Sequence, residues 1–237
     1  MEKKSRKIML SQRLSAVAEF VNEKSRVADV GCDHGFVSIF LIQNEIASHV
    51  IAMDVNEGPL ARAKEHVEEY GMGDYIQLRL SDGLALLTKE DRVDTVVLAG
   101  MGGKLMEKIL SEAFERNLFI QNLVLQPQSD MASFRKFLRE HEYTVTDEKM
   151  ICEEGKFYPV IKAGYQADRR EGVDYESDLS DAFGPCLLAE KHPVLHVYLL
   201  KEIEKFDQIL KQMEKNKSQD TEVREKLVFL KRAEALF

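Results

Sequence analysis

The residues best suited to chemistry stand at the ends of apolar runs. Val27-Ala28-Asp29-Val30 stops at Gly31; Cys32, Asp33, His34 and Gly35 follow, and then a second apolar run, Phe36 to Ile42. This order predicts a strand, a tight glycine turn and a helix. Such a turn sets backbone N–H groups and a helix N-terminus at the carboxyl end of a strand, where open α/β sheets bind ligands. Asp54 ends the next run, Val50 to Met53, and is placed to accept from the two hydroxyls of a ribose. Asp82 stands in a third turn of the same kind, Ser81-Asp82-Gly83. The first inference is a nucleoside-containing ligand.

Its chemistry follows from the turn. The dinucleotide fingerprint G-x-G-x-x-G is absent, because Gly31 and Gly35 are spaced G-x-x-x-G with Asp33 and His34 between them. A pyrophosphate needs close backbone approach, and the Asp33 charge opposes it. S-adenosylmethionine carries no phosphate. Its ammonium can meet an acid in the loop and its carboxylate can meet backbone N–H groups. The residues therefore favour S-adenosylmethionine over NAD, and a dehydrogenase is disfavoured. His34 is a tempting general base, but packing on the ligand or bonding to a loop carbonyl is preferred. Cys32 has no basic neighbour to lower its pKa, so it reads as a packing residue.

The elements that must position these residues alternate. Leu10, Leu14, Val17 and Val21 make one apolar helical face, with Arg13 off it. After the first strand comes a helix over about 36–44. A strand follows over about 49–53, then a helix opened by Asn56-Glu57-Gly58-Pro59 and ending near Gly71. Strands are expected over 75–80, 93–99 and 119–125, with Pro127 ending the last, and helices over 104–114 and 130–140. Two final strands, 143–150 and 157–165, read as an antiparallel pair. Such β-α alternation implies a parallel sheet with helices on both faces. Its two-strand ending resembles the seven-stranded sheet of class I methyltransferases.

The texture changes after about residue 166. Gln166 to Ser180 is polar and without periodicity, and Phe183-Gly184-Pro185 reads as a turn. From Pro193 an apolar stripe runs through Leu195, Leu199, Ile203, Phe206, Leu210 and Met213. A polar break at 215–220 precedes Val223, Leu227 and Leu230. Two helices forming an antiparallel hairpin are expected. The stripe would be the hairpin core, a dimer seam or an RNA cradle; the sequence does not choose. Two domains are expected: 1–166, a Rossmann-like unit with an N-terminal helix, and 167–237, a coiled-coil-like helical unit.

The chain of 237 residues is 44% hydrophobic and 31% charged, which supports a real core in a soluble protein. It has no apolar run of roughly 20 residues to span a bilayer and no signal-peptide pattern, so a cytoplasmic protein is expected. Cys32, Cys152 and Cys186 are widely spaced and offer neither a disulfide framework nor a metal site. The net charge of −8 argues against a nucleic-acid partner, but its distribution is uneven: residues 1–26 carry +4, residues 27–193 carry −13 and residues 194–237 carry +1. A polyanion would need a local basic face.

Three further clusters bear on a substrate. Gly100-Met101-Gly102-Gly103 follows the fourth strand, and its glycines let a flat substrate approach the backbone. The Asn/Asp-Pro-Pro-aromatic motif of many amino-methyltransferases is absent there. Glu153 to Tyr158, with Lys156, Phe157 and Tyr158, joins charged and aromatic residues able to stack on a base. Arg135, Lys136 and Arg139 share a helix and are candidates for phosphate contacts, although a solvated face is the commoner use of such residues.

D-V-G-C-D-H-G, Asp54-Val55-Asn56, Ser81-Asp82-Gly83, Ala99-Gly100-Met101-Gly102-Gly103, Leu125-Gln126-Pro127-Gln128 and Glu154-Gly155-Lys156-Phe157-Tyr158 together resemble the TrmK family. Leu10 to Leu14 is similar to that family's N-terminal helix. The family comprises bacterial tRNA (adenine(22)-N1)-methyltransferases, with a Rossmann-like domain and a coiled-coil-like C-terminal domain. The resemblance implies S-adenosyl-L-methionine as cofactor, tRNA as partner and no membrane or metal. It implies that Asp29, Gly31, Cys32, Asp33, His34 and Gly35 hold the methionine part. Asp54 and Val55 would take the ribose, Ser81, Asp82 and Gly83 the adenine edge, and Gly100, Met101 and Gly102 the methyl-transfer site. Tyr158 and Gln126 would position the base, with Arg6, Lys7, Arg13, Arg135, Lys136, Arg139 and Lys156 on the RNA. A monomer is slightly favoured. A small-molecule methyltransferase and a non-enzymatic S-adenosylmethionine-binding module remain the alternatives.

Overall fold

The protein is described by a computed structural model covering residues 7–215 and 221–237, without the side chains of 214 and 215. Arg6 and the break at 216–220 lie outside the described residues. A helix α1 (Gln12–Glu19), capped by the Ser11 hydroxyl accepting from the Leu14 N–H, leads into β1 (Ser25–Val30). Then come α2 (Phe36–Gln43), β2 (Ala47–Asp54), α3 (Glu57–Glu69), β3 (Ile76–Leu80), β4 (Thr95–Met101), α4 (Gly103–Glu115), β5 (Asn122–Pro127), α5 (Met131–Glu140), β6 (Tyr143–Glu153) and β7 (Lys156–Tyr165). The seven strands form one sheet in the order β3-β2-β1-β4-β5-β7-β6. β1 to β5 are parallel, and β7 runs antiparallel to both its neighbours. The fold is Rossmann-like α/β.

Strand side chains alternate between two faces, and here both faces are covered. Val27, Val50, Ala52, Val97 and Val124 pack under α1, α2 and α3 with Val17, Ile39, Leu41 and Ala63. Ala28, Val30, Ile51, Met53, Val96 and Leu98 pack under α4 and α5 with Met106, Leu110, Phe134 and Leu138. Burial on both sides is why these strands read as continuous apolar runs.

Four features depart from the sequence reading. β4 runs on through Gly100 to Met101, with a bulge between Ala99 and Met101. β5 starts at Asn122 and includes Pro127; Ile120 is buried but precedes the strand, and Phe119 is exposed. Two short helices, α6 (Asp178–Phe183) and α7 (Pro185–Ala189), lie between the last residues of the polar stretch that ends at Ser180 and the helix expected from Pro193, and they meet at the Phe183-Gly184-Pro185 turn. Five or six residues are too few for a helical period to show. Ser177 caps α6 and Pro185 opens α7.

The fourth departure concerns Arg135 and Arg139, expected on RNA phosphates. Arg135 is buried. Its Nε donates to Glu148 Oε1 at 2.9 Å and its Nη1 to the Asp181 carbonyl at 2.9 Å. The other Glu148 oxygen accepts from the Cys186 N–H at 3.0 Å. Burial pushes the Glu148 pKa up, and the Arg135 guanidinium opposes that rise. Arg139 donates to Asp181 Oδ1 at 2.7 Å and to the Tyr175 carbonyl at 2.8 Å. Both arginines tie α5 to the following helices, because a guanidinium with engaged donors and a carboxylate partner is not free for phosphate. Lys136 stays exposed, 3.8 Å from Glu140.

The chain ends in α8 (Pro193–Lys215) and α9 (Thr221–Glu234). His196 lies by Glu234 and Asp207 by Lys231, so the helices run antiparallel. Leu195, Leu199, Leu230 and Ala233 join Met150 of β6 and Phe183 and Leu187 of the short helices in one apolar cluster. Among the described residues no helix is long and apolar enough to cross a membrane.

Candidate active site

The site begins where β1 ends. The N–H groups of Gly31 and Cys32 both donate to the Met53 carbonyl, at 2.8 and 3.0 Å, which locks the turn to the end of β2. Gly35 opens α2 with φ +72°, and a Cβ there would stand 3.2 Å from Ala63 Cβ. Glycine is required by both the left-handed backbone and the closeness of α3. Asp33 also takes a positive φ, 48°. Its side chain is exposed, 3.6 Å from both Arg62 and His34 Nε2.

Three carboxylates gather around this turn. Asp29, near the end of β1, is buried and accepts from the Ser38 hydroxyl at 2.6 Å. Burial pushes its pKa up to about 6, with the Asp54 charge adding to the rise. Asp54 Oδ1 accepts from the Asn56 N–H at 2.9 Å and Oδ2 from the Asp33 N–H at 3.4 Å. One backbone bond on each oxygen leaves lone pairs for a ligand's hydroxyls. The Cys32 thiol is pushed far up by burial and by Asp29 and Asp54, which disfavours a nucleophilic thiolate there. His34 stacks on Phe36 with ring centroids 5.6 Å apart, and its carbonyl lies 2.9 Å from His66 Nδ1. It belongs to the packing of the loop.

A cleft of about 300 Å³ opens beside this turn. It brings together Arg13, Asp29, Gly31, Cys32, Asp33, His34 and Gly100 from the sequence reading, with Leu14, Phe36, Val37, Ala99 and Gln128 completing the wall. The other expected contacts share the sheet edge but not that wall. Val55 is exposed beside Asp54. Ser81 donates its N–H to the Asp54 carbonyl at 2.8 Å and its hydroxyl to the Gly83 carbonyl at 3.1 Å, with Asp82 between them. The Met101 side chain lies where a Cβ on Gly31 would stand, and Gly102 caps α4.

The far wall corrects two expectations. Gly100 has φ +78° and sits at the bulge of β4, a device that turns a strand edge aside. A Cβ there would be 3.6 Å from Arg13 Nη1 and 3.8 Å from Gln128 Nε2. Arg13, expected on phosphates, instead donates from Nη1 to Gln126 Oε1 at 2.8 Å, and its guanidinium lies 5.4 Å from the centre of the Tyr158 ring. Gln126, expected to hold the base, is fully buried, and its Nε2 donates to the Pro127 carbonyl at 3.1 Å. Both ends of that amide are engaged, so Gln126 acts by fixing Arg13. Tyr158 does face this region, by way of Arg13. Lys7 and Lys156 are exposed. The sequence reading missed Gln128 as a wall residue, although it lies in the Leu125-Gln126-Pro127-Gln128 segment that carried the family resemblance.

Residues 27–232 match the family TrmK, tRNA (adenine(22)-N(1))-methyltransferase. The chain belongs to the TrmK family. The tRNA (adenine(22)-N(1))-methyltransferase of Bacillus subtilis (strain 168) is 31% identical over 232 residues, covering 94% of this chain and 96% of that protein. A Streptococcus pneumoniae protein crystallised with S-adenosyl-L-methionine superposes with a TM-score of 0.82 at 31% identity, over 95% of this chain and all 100% of that one. M. capricolum TrmK, in complex with S-adenosyl-homocysteine, gives 0.81 at 26% identity over 97% and 99%. The TrmK family sequence thus coincides with a fold whose cleft joins a carboxylate-lined turn to an open glycine edge.

Proposed function

We propose that this TrmK-family chain uses S-adenosyl-L-methionine to methylate N1 of adenosine 22 of tRNA, with cofactor and base meeting in the cleft between β1 and β4. The observation that carries this reading is the meeting, in one cleft, of the Asp29–Gly35 turn with the bulged Gly100 edge. The residues fit the cofactor. Asp33 would repel a pyrophosphate but suits an ammonium, and Asp54 keeps lone pairs free for ribose hydroxyls. Asp29 to Gly35 hold the methionine part, Asp54 and Val55 the ribose, and Ser81, Asp82 and Gly83 the adenine edge. Gly100, Met101 and Gly102 line the point of transfer. When bound, the cofactor supplies an electrophilic methyl group on a positively charged sulfur.

The chain's own task is then placement. Adenine N1 carries a free lone pair at neutral pH, so no side chain has to remove a proton. Holding that lone pair in line with the methyl group is the main source of rate. N1 lies on the pairing edge, so the base must leave its helix and enter the cleft. Tyr158 and the Arg13 guanidinium offer flat surfaces for it, as aromatic rings and guanidinium planes do for unstacked bases. Lys7, Lys156 and Lys136 take tRNA phosphates, with Arg6 of the N-terminal segment. The helical part from residue 167 forms a second domain, and the enzyme works as a monomer in the cytoplasm.

The test is incubation with labelled S-adenosyl-L-methionine and unmodified tRNA, followed by mapping of the modified base. Methyl on N1 of adenosine 22 is expected; methyl on another atom, or none on tRNA, overturns the reading. Tyr158→Ala should lower turnover by about 5- to 150-fold, the range for losing one stacked base. Cofactor affinity by calorimetry should hold. Unchanged turnover removes Tyr158 from the base site.

A further inference from the structure

We propose that Gln128 recognises the target base, reading the N6 and N7 edge of adenine while N1 faces the methyl donor. The inference rests on the methyltransferase reading above and names the residue that selects its substrate. Gln128 follows β5, and its N–H donates to the Met101 carbonyl at 2.8 Å, so its backbone is fastened to the bulged edge of β4. Its side chain lines the cleft, with Nε2 3.8 Å from the point where a Gly100 Cβ would stand. Arg13 Nη1 lies 3.6 Å from the same point. A cation and an amide thus both stand beside Gly100.

The two glutamines of this segment differ in what they have left to offer. Both ends of the Gln126 amide are engaged, with Arg13 and with the Pro127 carbonyl. The Gln128 side-chain amide has no hydrogen-bond partner among the described residues and is exposed to the cleft. It therefore carries one free acceptor and two free donors next to the open Gly100 edge.

Methylation at N1 restricts how the base can be read. The pairing edge must point at the methyl group, so N6–H and N7 are left for recognition. A carboxamide matches that edge, with Oε1 accepting from N6–H and Nε2 donating to N7. Guanine offers acceptors at both places and would set its O6 against Oε1. The contact also responds to the reaction. As N1 takes the methyl group, positive charge spreads to N6 and its N–H becomes more acidic. The bond to Oε1 then strengthens in the transition state, where it lowers the barrier.

The experiment combines variants of Gln128 with one atom of the substrate. Wild type, Gln128→Ala and Gln128→Glu are assayed on tRNA carrying adenosine or 7-deazaadenosine at position 22, with cofactor affinity measured by calorimetry. For wild type, loss of N7 should lower kcat/KM about 10-fold, part of the discrimination a bidentate pair provides. Gln128→Ala should lose about 10- to 100-fold on adenosine and nothing further on 7-deazaadenosine. Gln128→Glu places a carboxylate oxygen against N7, so the deaza substrate should be methylated faster than adenosine, reversing the wild-type preference. A structural role for Gln128 would produce no such reversal. Equal 7-deaza losses in wild type and both variants overturn the proposal. A wild-type enzyme that fails to methylate adenosine 22 overturns the reading beneath it instead.

Discussion

Asp29 gives the strongest quantitative test of the site. Its carboxylate is buried at the end of β1, and burial lifts its pKa to about 6, from the 3.8 of an ordinary aspartate. The folded chain therefore holds this proton more tightly than the unfolded chain. The stability it contributes is complete below pH 3.8 and is lost as pH rises through 6. The full loss is about 3 kcal/mol, at about 1.4 kcal/mol for each tenfold change. Between pH 5 and pH 8 the same two values give about 1.4 kcal/mol. Asp29→Asn removes the titration and retains a group able to accept from the Ser38 hydroxyl. Urea unfolding of both proteins at the two pH values, without cofactor, gives the difference directly. Wild type should weaken relative to Asp29→Asn by about 1.4 kcal/mol on going from pH 5 to pH 8, with the variant the less pH-sensitive. A difference that does not change with pH, or that moves in wild type's favour, refutes the account of Asp29 as a buried acid held for a cationic ligand. The same substitution should weaken S-adenosyl-L-methionine binding at pH 8, because function here depends on a destabilising charge.

Other elements yield separate tests. Arg135→Met should destabilise the fold by about 3–5 kcal/mol, since it leaves Glu148 buried without its partner; adding Glu148→Leu should restore much of that loss in denaturant titrations. Lys7→Ala and Lys156→Ala should each reduce the slope of log affinity for tRNA against log salt by about 1. A filter-binding slope that stays the same would take that lysine off the phosphates. Gly35→Ala should cost about 1–3 kcal/mol for its left-handed backbone, and its Cβ would press on Ala63. Thermal unfolding and cofactor titration should both register the change.

The sheet was legible because of its burial. β1, β2, β4 and the body of β5 are covered on both faces, and such strands leave dense apolar runs between turn residues. The two strands after α5 with no helix between them also fixed the antiparallel end of the sheet. Elements whose stability comes from elsewhere left little trace. α6 and α7 are held by a Ser177 cap, a proline at a first turn and the buried Arg135–Glu148 pair, none of which has a period. Ile120 is as apolar as a strand residue and wholly buried. Its burial comes from the approach to β5 and not from pairing within it.

The site divides along the same line. The placement of Asp29, Gly31, Asp33, Gly35 and Asp54 at the sheet edge was readable because it is local: each stands at or just past the end of β1 or β2. The base side is assembled from four separate elements, α1, β4, β5 and β7, and there residue type misleads. A cation off the apolar face of a first helix reads as solvated or phosphate-bound, yet the fold sets Arg13 against Gln126 and Tyr158. A glutamine at a strand end reads as a contact residue, yet the one at 126 is sealed inside and the one at 128 is free. The difference is one of pleat and position. Gln126 pairs with Ala99 inside the sheet, whereas Gln128 lies past Pro127, beyond the last paired residue, where the bulge at Gly100 has already opened the edge. Which of two neighbouring amides is left exposed thus follows from where the adjacent strand bulges at Gly100, a change of register that residue type does not announce.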